Sequence, residues 1–394
     1  MPVGIQGLRG TGEFDQDHRP LNYRELYSLL EPNGSAPLNA LLSMTASEST
    51  DDPEYKNFRD ELPDRTFAVD NAGGYDAAAT TISVDAVPQV GFVVKGSLIV
   101  NVTTGEVMHA TADGDATSGT VQVVRNIGGT AFAISDNDDL IVAGFAAKEG
   151  DVSPNAVSFD ADVASNYTQI FRTPYKVTET LRHTRLRTGS KEDEAQVKAL
   201  KLHMSDIERA MFFGRKHITD PNSNQPTRYT GGLLSNISNV VDCAGNTTAN
   251  TMTEEEFDDL LISSIFAYGS DTKIMFVGAK VAGHIQQFGK DRWQPTQLEG
   301  TYGVNLTGYK TYAGTLAVHL HPQFRQIPGL EDTAVIIDFP DLCYRYLEGR
   351  DTHLLKDRQG TDEDAVKHEY LTECGLELKQ DKTHAIIKNW KLRK

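Results

Sequence analysis

His319 and His321, in "VHLHP", are the first residues in this chain whose types and spacing could do chemistry. Two apart on a strand, both side chains point to one face, as metal ligands do. No third ligand stands at a usable spacing, so they read as ordinary strand histidines and no metal is expected. "GTVQVVRNIGGTAFAI", residues 119–134, carries the paired glycines of a phosphate-cradling loop. Such a loop needs a helix after its glycines, and usually a Lys followed by Ser or Thr. An Ala-Phe-Ala-Ile strand is expected here instead, so Asn126 to Gly129 reads as a turn that uses positive φ. Val121, Val123 and Arg125 then share one strand face. Arg125 is expected to be solvated or at an interface rather than on a ligand.

"DNDDL", 136–140, begins like a calcium loop but lacks that loop's invariant glycine and its closing glutamate, so it reads as a turn, with a weak cation site as the alternative. "TDEDAVKHEYL" sets carboxylates near His368, a common surface pattern. "GLRGTG", 7–12, has glycines but no strand before it. No Walker motif, GxSxG elbow or HExxH occurs. Cys243, Cys343 and Cys374 are odd in number and far apart, which excludes a disulfide framework or a zinc site and fits a reducing compartment. Nothing assembles a nucleophile, a base and an orienting group. The expectation is therefore no enzyme, with no catalytic, cofactor-binding or metal-ligating residues and no cofactor.

The elements that hold these residues are mixed. Residues 1–52 look poorly compacted, with short helices expected at 23–30 and 37–43, and should dock elsewhere, on another chain among the options. Residues 53–70 read as an extended arm. From 79 to 150, five or six short apolar runs recur between Gly and Asp turns, which predicts a small all-β module. "SNYTQIFRTPYKVTETLRHTRLR", 165–187, reads as a long strand returning from it. The clearest element is a helix within 189–217. Ser190 is its N-cap, and Val197, Leu200, Met204, Ile207 and Met211 recur at spacings of 3, 4, 3 and 4 as a core-facing stripe. Its length is roughly 35–40 Å. Thr253 and Glu256 form a capping box before a further helix. Strands follow at 273–278, around a turn at Ala313-Gly314 and within 333–349. The chain finishes with a hairpin turning at Gln380-Asp381-Lys382.

Of 394 residues, 1–160 hold 24 acids and 9 Lys or Arg, a net −15 of the chain's −17. That half should make no phosphate contacts, although an acidic surface can face DNA and repel it. The N-terminus has no charged region followed by an apolar one, so no signal peptide is read, and no apolar run is long enough to span a bilayer.

Particular residues carry a resemblance. Asn166, Thr168, Gln169 and Ile170 open the returning strand; Gly189, Asp193 and Glu194 start the long helix; Glu208 and Ala210 end it; Arg228, Thr230, Gly231 and Gly232 follow. This order is similar to major capsid proteins of tailed bacteriophages with the Hong Kong 97-type fold, well over 165–394 and loosely over 37–70. The resemblance implies an α+β fold with an N-terminal arm (1–52) and an extended loop (53–188) that carries the inserted β module at about 79–150. The spine helix and peripheral domain (189–239), an axial domain (240–340) and a return to the peripheral domain (341–394) complete it. It implies hexamers and pentamers that close into an icosahedral head around double-stranded DNA without sequence-specific binding. Scaffold, portal and decoration partners, location in the virion, assembly in the host cytoplasm and no membrane follow likewise. No long charged helical leader precedes the arm, so no large cleaved segment is expected. The alternatives are an encapsulin-like shell of a cellular nanocompartment and, further off, a β-rich phage tail or adhesion protein.

Overall fold

A computed structural model describes residues 36–42, 47–85, 87–185, 189–246, 252–288, 296–297 and 307–390. The chain divides into two compact units, one of residues 58–163 and one of residues 1–57 with 164–394.

In the smaller unit the six-stranded sheet runs Thr66–Ala68, Asp139–Phe145, Ser97–Asn101, Val107–Ala110, Thr120–Val124, Thr81–Ser83, every pair antiparallel. Its two outer strands meet. Val69 bridges Val84, Asp70 N donates to Ser83 O at 3.0 Å and Asp85 N donates to Ala68 O at 3.1 Å. The sheet thus closes into a small barrel, which leaves no free edge. Alternate residues point inward: Phe67, Ile82, Ile99, Met108, Val121, Val123 and Leu140 form its core. The barrel starts at Thr66, in the stretch read from sequence as an extended arm. The strand expected at 131–134 does not form; Ile134 makes a single bridge with Tyr75. The cause is an ion pair that captures its backbone: Phe132 N donates to Glu106 Oε2 at 3.0 Å and Phe132 O accepts from Arg125 at 2.6 Å. With its own core and no open edge, the excised segment 58–163 is expected to fold alone. Urea unfolding followed by far-UV CD should give one cooperative transition, with a monomer on sedimentation; a broad, non-cooperative melt would count against independent folding.

The larger unit is built on the helix Lys191–Phe213, capped by Ser190, whose side chain accepts from Asp193 N. A five-stranded sheet lies against it, ordered Ser47–Thr50, Leu342–Leu347, Ala365–Leu378, Gln169–Thr178, with His353–Leu355 also on the long strand. Pro174 stands mid-way along the outer strand. It has no N–H to offer a further strand, which blunts that edge. A seven-stranded sheet follows, ordered Val240–Asp242, Ala385–Lys388, Ala334–Ile337, Thr272–Val277, Thr315–Leu320, Thr307–Lys310, Thr296–Gln297. Both its faces are covered. Phe276, Val335, Ile337 and Ile386 join the core beneath the long helix. Met275, Val277, Ile336 and Ile387 join a second core with Phe257, Val281, Ile285 and Trp390. The capping box of Thr253 and Glu256 forms as read.

Four readings are corrected. The final hairpin does not exist: Ala365–Leu378 ends in one sheet and Ala385–Lys388 starts in the other, so residues 341–394 do not all return to the long helix. Residues 165–187 break into strands Asp162–Tyr167 and Gln169–Thr178 and a helix Glu179–His183, which Thr178 caps. The stripe of the long helix holds at Ile207 and Met211 in the core and Met204 against it, but its face is shared with Ala199, His203, Glu208 and Phe212, and Val197 is 54% exposed. Residues 36–42 and 47–50 pack on their own chain, with Leu38 and Leu42 in the core and Ser47–Thr50 in the sheet. The helix expected at 23–30 and the glycines of 7–12 lie outside the described residues.

Candidate functional site

The candidate residues are spread over the fold rather than gathered. His319 is buried in its strand, and His321 follows at the N-cap of Pro322–Gln326. Both rings meet Phe276 edge-on, with centroids at 5.9 and 5.6 Å. Of the 136–140 stretch, Asp136 and Asn137 turn, with Asn137 at φ 62°, Asp138 accepts from Asn101 Nδ2 and Ser135 N, and Asp139 and Leu140 already belong to the barrel strand. His368 lies 3.4 Å from Glu192 and accepts from Asp357 N. Asn126 and Gly128 have positive φ, as the turn reading requires. Arg125 is corrected: its side chain is 5% exposed, not solvated, and it grips Glu106 with both Nε and Nη2. Burial alone would raise the Glu106 carboxyl, but hydrogen bonds from Arg125, Phe132 N and Asn126 N hold it below its usual range.

All three cysteines are buried thiols, none of them in a disulfide. Burial pushes the Cys243 thiol up to about 11 and Cys374 up to about 12, which removes the thiolate that nucleophilic or metal chemistry needs. Among the described residues, Glu48, Cys343 and Glu377 are the one group of three ligand atoms within 4.8 Å. The Arg345 guanidinium bonds both glutamates, supplying the positive charge that a metal would bring.

What the geometry does bring together is a set of buried polar joints. Glu208 is fully buried on the long helix, and its Oε1 accepts from Leu38 N at 2.8 Å and from His321 Nε2 at 2.9 Å. His321 Nδ1 accepts from Gln323 N at 3.2 Å, so Nε2 carries the ring proton. One carboxylate thereby ties the arm helix, the spine helix and the turn after a strand of the seven-stranded sheet. Asn166 is a second joint. Its Nδ2 donates to Gly231 O at 2.9 Å and Leu376 O at 2.8 Å, and its Oδ1 accepts from Gly231 N at 2.7 Å. Beside it, Gln169 Oε1 accepts from Thr230 N and Thr168 Oγ1 bonds Glu373. Gly232 lies against the end of the long helix so closely that a Cβ there would stand 2.7 Å from Met211 O.

Two joints were not legible beforehand. Lys273, fully buried in a strand, donates to the carbonyls of Ile265, Tyr268 and Thr383 at 2.6–2.7 Å, and burial lowers its pKa. His203 sits between Thr173 Oγ1 at 2.9 Å and Thr372 Oγ1 at 2.7 Å, and burial lowers its pKa as it does that of His284. Lys273 takes Thr383 from 110 residues away and His203 takes Thr372 from 169 away, and no local pattern announces either joint.

The histidine shifts set an order for acid unfolding. Both imidazoles ionise at lower pH folded than unfolded, so the unfolded chain binds their protons first. Their contribution is full above 6.5, the ordinary value, and falls as the pH drops below it. Glu106, whose ordinary value is 4.5, acts the same way only below that value. The larger unit is expected to lose stability first, reported by fluorescence of Trp390 in its core; the barrel, which has no tryptophan, should keep its CD signal to lower pH. Simultaneous loss of both signals would contradict this.

Comparison with known proteins gives the family. The sequence pattern of the SU10 major capsid protein family matches residues 11–391. The major capsid protein of Pseudomonas phage PaMx41 is 29% identical over 344 residues, 84% of this chain and 80% of that one. Among solved structures, the capsid of the native GTA particle shares 10% identity over 95% of each chain with a TM-score of 0.47. The holo-SrpI encapsulin complex from Synechococcus elongatus PCC 7942 shares 12% identity, covering 59% of this chain and 79% of that one, with a TM-score of 0.42. A match that runs from residue 11 to residue 391 takes in both compact units, and the chain belongs to the SU10 major capsid protein family.

Proposed function

We propose that this chain assembles as hexamers and pentamers, in the Hong Kong 97-type manner, into the icosahedral head that encloses double-stranded DNA. The observation that carries the reading is the family match over nearly the whole chain. In this assignment the long helix and five-stranded sheet are the peripheral domain, and the seven-stranded sheet is the axial domain near the capsomer centre. The paired strands Glu54–Arg59 and Asp162–Tyr167 are the stem of the extended loop, with the barrel inserted in it. Each role needs stiffness more than chemistry. Many weak interfaces per subunit sum to a closed container, and buried ties such as Glu208 keep each subunit rigid while they do so. A separate scaffold, a portal and decoration proteins complete the partners, with assembly in the host cytoplasm. No sequence-specific DNA contact is part of the reading, given the −17 charge.

Electron microscopy with light scattering on the purified chain tests this. Closed shells or six-fold rings are expected. A 43.3 kDa monomer that persists at high concentration, even with scaffold and portal added, would overturn it.

A further inference from the structure

The barrel unit carries two adjoining surface grooves of about 520 and 730 Å³ that share Phe145 and Asn155. One is walled mostly by apolar side chains, Phe92, Val142, Val157 and Phe159 with Leu62, and the other mixes Phe145 and Val152 with polar residues. Leu62 is 86% exposed and Val152 83%, values that large apolar side chains rarely keep in a finished assembly. The charges around them are unlike the rest of the unit. Residues 58–163 hold 16 acids and 5 Lys or Arg, a net −11. Arg125 is locked inside against Glu106. Of the other four cations, Arg65, Lys95 and Lys148 all line the grooves, against two acids, Asp113 and Asp151. Asp113 is held by Asn155 Nδ2 and Lys95 N.

We infer that this double groove is a contact between copies, filled by an apolar, acid-bearing surface of a second copy of the chain. The occupant follows from charge. In a shell of subunits that each carry −17, neighbours present mostly carboxylates, and like charges repel across most of the barrel surface. The groove is where cations and uncovered apolar side chains coincide, so a neighbour's acidic surface can land there and bury area. The inference rests on the proposed shell function and adds which surface of the barrel takes part.

The test uses the full chain. Leu62→Asp with Val152→Asp, and separately Lys95→Glu with Lys148→Glu, change exposed side chains and should leave subunit melting unchanged. Each pair is expected to raise the concentration needed for shell assembly about tenfold. Val102→Asp, equally on the barrel but outside the grooves and 55% exposed, is the control and should assemble normally. A photo-crosslinker at position 152, in a mixture of light and heavy isotope-labelled chains, should yield light–heavy adducts to an acid-bearing peptide. Normal assembly of both groove variants, or adducts confined within one chain or made to another protein, would overturn the inference while shells still form. Failure of the unaltered chain to form shells with scaffold and portal present would overturn the proposed function, and the inference with it.

Discussion

Glu208→Ala is expected to cost the folded subunit about 3–5 kcal/mol and to abolish shell formation. The substitution leaves the Leu38 N–H and the His321 Nε2–H without their shared acceptor, both in a core that water does not reach. An orphaned buried donor loses its full hydration, which exceeds the modest net gain of the bond it once made. The consequence extends beyond one contact. The arm helix Pro37–Leu42 loses its tie to the spine helix, and Leu38 and Leu42 leave the core with it. Glu208→Gln retains an acceptor oxygen and should recover most of the loss, leaving about 1–2 kcal/mol. Denaturant midpoints of dissociated subunits, with electron microscopy of the assembled product, check both. An alanine variant as stable as the glutamine one would show that the tie is unimportant.

Gly232→Val is expected to cost about 3 kcal/mol or more, from a different cause. A Cβ at 232 would stand 2.7 Å from Met211 O, 2.8 Å from Ala210 O and 2.8 Å from Gly214 N. All three are backbone atoms of the spine helix end and its cap, so no side chain can swing away. Relief requires the 230–232 segment to lift, which breaks Gly232 N to Gly214 O at 2.9 Å and strains the Asn166 clasp on Gly231. Gly283→Ala makes the contrast. It lies within the helix Ala279–Phe288 with nothing near its missing Cβ, so alanine should be neutral or stabilise by about 0.5–1 kcal/mol. Thermal melts of the two variants should differ by about 5–10 °C, with Gly232→Val the lower; equal melts would refute the close-approach account.

Both predictions concern residues whose importance was visible in the sequence only through resemblance. Glu208 and Gly232 stood out because their order matched a family, and no local rule says why a glutamate belongs at a helix end. The cause lies at Leu38 and His321, 170 and 113 residues away. The same limit explains why the core-facing stripe of the long helix holds at Met204, Ile207 and Met211 but not at Val197: there the buried face takes in two polar residues, His203 and Glu208, that hydrophobicity cannot register. Arg125 follows directly on the strand that carries Val121 and Val123, yet its burial depends on Glu106, just before the neighbouring strand Val107–Ala110. Turns and caps were legible because their chemistry is local: Ser190, the Thr253–Glu256 box and the positive φ at Asn126 and Gly128 needed only their neighbours. The terminal hairpin failed because nearness in sequence says nothing about which of two sheets a strand joins.

Closure of the barrel also bears on how a particle made of many copies avoids going wrong. A shell crowds its subunits far beyond the concentrations at which exposed strands begin to pair at random. An open sheet on every copy would offer a second polymerisation route, cross-strand and without a natural end, in competition with the one that closes. With Val69 joined to Val84, each module has no strand left to lend. It can be repeated at any density as a self-contained bead, and the module adds no endless route of its own to the growth that terminates.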